Sequence, residues 1–77
     1  MKIVMYDVKL KLSKYLVKVS YQLFIEPLEL VSQNDDEIIL KASNEWCKSI
    51  IEDRFMPTIQ MVIDKLAGMP MKISIII

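Results

Sequence analysis

The chain has no histidine, one cysteine and one glycine. Without His, a zinc site of the Cys/His type has too few ligands, and Cys47 alone cannot form an internal disulfide. The same absence removes the usual base for a nucleophilic thiol, so Cys47 reads as a small buried apolar residue. Ten basic residues balance ten acidic ones, which argues against charge-driven nucleic-acid binding. Long apolar runs are lacking as well. The start "MKIVMYDVKLKL" has neither the core nor the cleavage site of a signal peptide, and "MKISIII" at the end is too short to span a bilayer. These absences predict a cytoplasmic domain without metal, cofactor or membrane attachment, and with no enzymatic activity.

Hydrophobic residues make up 53% of the 77 positions, enough for one small core and a single domain over residues 1–77. The charges are unevenly placed. Residues 1–18 carry five Lys against one Asp, whereas residues 26–37 carry five acids and no base. Such a polarised surface is either two solvated faces or a dipole that orients a partner. Asp35, Asp36 and Glu37 read as a solvated turn, because adjacent acids diverge and no further ligands complete a calcium loop.

Periodicity supplies the elements. Met5, Val8, Leu12, Tyr15 and Leu16 recur at helical spacing between Ile3 and Val17, although the alternation "VKLKL" also fits a strand. A short second helix follows, with Ser20 expected as its cap and Val19 and Phe24 as a hydrophobic staple. Pro27 is expected to end it by pushing Glu26 out of the helical region. The segments 28–32 and 37–42, joined by "QNDD", predict a β-hairpin. Ser43 is then expected to cap a long helical region reaching Ala67, its stripe formed by Cys47, Ile50, Ile51, Phe55, Ile59, Val62, Ile63 and Leu66. Pro57 predicts a break near Phe55–Met56, Gly68 a left-handed cap, and "MKISIII" a final strand. The order ααββαβ is that of an α+β fold with helices packed on a small three-stranded sheet.

The chain's one tryptophan stands in "KASNEWCKSI", on the first turn of the long helix. At about 100° per residue, Trp46 lies at the rim of a stripe centred on Cys47, and Asn44 lies on the opposite side. A rim aromatic buries one edge and presents the other. It either folds down over the hairpin or serves as an exposed anchor of the kind that dominates interfaces.

The stretch from "YQLFIEPLEL" to the end resembles the DnaA domain I family, the N-terminal domain of bacterial replication initiators. The resemblance is carried by "FIEPL" (residues 24–28), "ASNEW" (42–46), "DRFMPTI" (53–59), the Gly68 turn and the final apolar strand. It is weakest over residues 1–18. It implies a KH-like fold and a non-enzymatic interaction hub for self-association, replicative helicase recruitment and regulator docking. By position, Asn44 and Trp46 match the family's partner-contacting Asn and aromatic residue. Ser20 stands where some members have a helicase-contacting Glu, and Met5, beside Tyr6, where a self-association Trp is found. Ser20 lacks the charge and Met5 the indole, so neither contact transfers intact.

A nucleic-acid loop of the Gly-x-x-Gly type is absent. Lys11, Lys14 and Lys18, on one side of the first helix, remain candidates for weak single-stranded DNA contact, although little aromatic interleaving accompanies them. The alternatives are therefore a weak single-stranded nucleic-acid binder, or a free-standing relative of domain I that competes for the initiator's contacts.

Overall fold

The computed structural model describes residues 2–77. Helix α1 (Met5–Tyr15) turns Val8 and Leu12 into the core, one turn apart as the spacing demands. Tyr15, expected on that buried face, is exposed, and Leu16 leaves the helix in an extended conformation. Ahead of α1, Ile3 is buried and strapped down by Gln33. The Gln33 side-chain amide donates to the Ile3 carbonyl and accepts from its N–H, both at 2.8 Å. One carboxamide thus satisfies a backbone segment that no strand pairs.

Helix α2 (Lys18–Ser20) continues into a π-helical turn (Tyr21–Ile25) that buries Phe24 and Ile25. The cap is not Ser20. The helix begins three residues earlier, after Val17, and Ser20 is fully helical at φ −63°, ψ −42°. No staple forms either, because Val19 is 65% exposed. Glu26 also stays helical despite the following proline. Its N–H donates to Tyr21 O at 2.9 Å across the wide turn, and its carbonyl receives Lys9 Nζ at 2.8 Å. Those two bonds offset the steric preference that Pro27 imposes.

The hairpin pairs β1 (Glu29–Gln33) with β2 (Glu37–Lys41), antiparallel, each within a residue of the expected bounds. Asn34 closes the turn, its Oδ1 accepting from the N–H groups of Asp36 and Glu37. Between Leu30 and Ser32 the register shifts, so Val31 is an extra, exposed residue on this edge strand. Strand β2 alternates in burial, with Ile38 and Leu40 inward. It lies in the middle of the sheet, with β3 (Lys72–Ile76) parallel on its other side. A parallel partner requires a long crossover, and the helices between β2 and β3 provide it.

That crossover comprises α3 (Glu45–Ile50), a second π-helical turn (Ile51–Phe55) and α4 (Met56–Ala67). The expected break is present. Phe55 departs to φ −106°, ψ −9°, and Pro57 occupies the first turn of α4, where its missing N–H costs nothing. Gly68 ends α4 at φ 73°, ψ 15°, the left-handed cap that its position predicts. Asp64 then fixes the exit, its Oδ1 accepting from Met71 N at 2.8 Å and from Gln60 Nε2 at 2.7 Å. Cys47, Ile51, Ile59, Val62 and Ile63 form the buried stripe, with Ile50, Phe55 and Leu66 half-buried beside it.

Candidate partner-binding face

Ala42 is buried and still belongs to the sheet, since its N–H donates to Ile76 O at 2.8 Å. The chain therefore needs one more residue to turn, and the helix starts later than Ser43 would allow. Asn44 is the cap instead. It is extended (φ −163°, ψ 175°), and its Oδ1 accepts from Cys47 N at 2.8 Å. Its carbonyl receives Lys48 N at 3.0 Å. Asn is as good a cap as Ser, so local chemistry did not decide between them; the reach of β2 did.

This cap places Trp46 one residue before Cys47, which is buried, so the indole is carried to the side of the stripe. Trp46 is 58% exposed. It does not fold over the hairpin. Its inner edge rests on Phe24, with ring centroids 5.2 Å apart and planes tilted by 50°. Phe24 in turn meets Phe55 at 5.5 Å and 41°. Both separations lie in the favourable range for tilted aromatic pairs. Three rings thus form a chain from the exposed Trp46, through the buried Phe24, to the half-buried Phe55 at the helix break.

The surroundings are set by the same contact. Leu23 is exposed beside Phe24, and its carbonyl faces Cys47 Sγ at 3.9 Å. Val19 lies one turn before Leu23 and is exposed too. Asn44 is exposed at the mouth of α3, and Ser20 is half-buried four residues before Phe24. Asn44 and Trp46 both stand at the start of α3, and Leu23, which sequence reasoning did not single out, is exposed next to Phe24, the ring on which Trp46 rests. Three consecutive apolar residues in "YQLFI" carried the signal: Phe24 and Ile25 are buried, and Leu23 is left outside the core.

The remaining candidates lie elsewhere. Tyr6 is 72% exposed, and Leu10, one turn later on α1, is exposed as well; Met5 is half-buried against the core. Lys11, Lys14 and Lys18 do not form one row, because α1 ends at Tyr15 and Lys18 falls on α2 beyond an extended Leu16–Val17 link. Among the described residues no group of three potential metal ligands converges, and no helix is long and apolar enough to cross a membrane.

With the broken crossover counted as one helix, the order ααββαβ on a mixed three-stranded sheet defines a small α+β domain. The sequence model of the DnaA N-terminal domain matches residues 6–65, and the chain belongs to that family. Membership gives it a role in replication initiation. No curated protein sequence matches the chain.

Proposed function

We propose that this domain is a non-enzymatic docking module of replication initiation in the bacterial cytoplasm, gripping protein partners through Trp46. One observation carries the reading: the indole is more than half exposed while its inner edge is held by a buried ring. A large, rigid aromatic held in place in the free protein loses little freedom on binding, which is why such residues dominate interfaces. Leu23 and Val19 extend the apolar area, Asn44 adds a polar rim, and Ser20 borders it. The partners for this face are the replicative helicase and regulators of initiation, as the family resemblance implies. A second patch, Tyr6 and Leu10 with Met5 beneath, serves weak self-association. Lysines split between two helices do not favour the single-stranded nucleic-acid reading.

The test is a pull-down from the native cytoplasm with wild type and Trp46→Ala, alongside thermal unfolding of both. Trp46→Ala should weaken partner capture by about 1–3 kcal/mol. Its stability should fall by roughly 1–3 kcal/mol, the value of one aromatic pair plus the apolar area of the buried inner edge, with the fold kept. Unchanged capture, or capture lost only in step with stability, overturns the assignment.

A further inference from the structure

Helices α1 and α4 leave between them an open cleft of about 220 Å³, lined by Lys11, Tyr15, Met61, Val62, Lys65 and Leu66. Its lining follows from helical spacing. Lys11 and Tyr15 are one turn apart on α1, as are Met61 and Lys65 on α4, so each pair shares a face. Val62 is buried and Leu66 half-buried, whereas Tyr15 and Met61 are exposed. The two lysines are exposed, one contributed by each helix. No acid is among the lining residues. Asp64, next to Lys65 in the chain, is engaged by Met71 and Gln60. Asp7, one turn ahead of Lys11, tempers that lysine, but residues 8–18 carry four lysines and no acid.

The volume is below the roughly 300 Å³ at which small-molecule sites begin, and suits one or two side chains. We propose that the cleft receives an acidic peptide segment bearing one apolar side chain. That side chain lies over Val62 and Leu66, and flanking carboxylates pair with Lys11 and Lys65. Met61 suits the purpose, since a thioether side chain adapts to different apolar shapes. A nucleic-acid strand fits less well, because the lining between the lysines is apolar and Tyr15 is its lone ring for stacking. The cleft is separate from the Trp46 face, and the inference does not rest on it.

Fluorescence anisotropy on the full chain tests it with a fluorescein-labelled decapeptide holding one Phe between pairs of Glu. Two controls replace its Phe by Ser or its Glu by Lys, and a labelled oligothymidine of equal length is a fourth probe. The first peptide should bind saturably at low salt and weaken as salt rises. Lys11→Glu combined with Lys65→Glu should weaken it about tenfold, given two exposed ion pairs of ordinary strength. Trp46→Ala should leave it unchanged, and both control peptides should bind more weakly. Circular dichroism of the double variant checks the fold, and Lys11→Ala with Lys65→Ala replaces it if reversal disturbs the helices. Three results overturn the proposal: no saturable binding of the first peptide, binding that survives loss of both lysines, or preferential binding of oligothymidine through those lysines.

Discussion

Replacing Asn44 by Ala removes the acceptor for Cys47 N–H and leaves a first-turn donor of α3 without its partner. Caps of this kind contribute about 1 kcal/mol, within a range of roughly 0.5–2. Unfolding entropy near the midpoint is about 2.1 cal/mol/K per residue, so a chain of this length loses about 0.16 kcal/mol of stability per degree. Asn44→Ala should accordingly lower Tm by about 6 °C, read by far-UV circular dichroism. Asn44→Asp keeps an acceptor in place and adds negative charge at the positive end of a helix. It should return Tm to within about 3 °C of wild type, since it retains the cap and adds a dipole contribution offset by the neighbouring Glu45. A melt of Asn44→Ala that superimposes on wild type, or an Asn44→Asp chain as unstable as Asn44→Ala, would refute the capping role. The pair also separates two ways in which position 44 acts on partners. Any affinity that Asn44→Asp still lacks comes from the lost side-chain NH₂ or the added charge, and not from the cap.

Other perturbations follow from the same contacts. Phe24→Ala deletes the middle of the three tilted rings and should cost about 3–5 kcal/mol, enough to unfold much of so small a domain; urea titration checks it, and a loss below about 1 kcal/mol would mean the ring is not a core support. Gln33→Ala strips both hydrogen bonds from Ile3, each contributing about 1 kcal/mol. Amide exchange at Ile3 should accelerate by about tenfold or more while β2 amides change far less, and uniform acceleration would instead mean that the strap supports the whole fold.

Much of the molecule was legible because its strongest signals are local. Pro57 and Gly68 act through their own backbone restrictions, and both the break and the left-handed cap fall where those restrictions place them. Asn34 likewise closes its turn with its own side chain. The failures come from non-local forces. Ser20 and Ser43 have good capping chemistry, but the second helix begins early, after an extended link, and β2 holds Ala42 in the sheet one residue too long for Ser43. Glu26 stays helical, its N–H bonded to Tyr21 O and its carbonyl to Lys9, seventeen residues away. At the candidate face the rim position of Trp46 followed from helical geometry around Cys47, but that geometry left open whether the ring would cover the hairpin or stand exposed. Its seat on Phe24 did not follow, because nothing in the local sequence says which ring from another helix will lie beneath it.

The seat of Trp46 also makes the domain its own spectroscopic probe. No second indole is present to mask the signal. The ring touches solvent on one side and Phe24 on the other, so its emission should shift to the blue when a docked protein excludes water, and to the red if the stacked helices separate. Opposite colour changes for engagement and unfolding allow both to be followed in the unmodified chain, without a label placed on the surface under study.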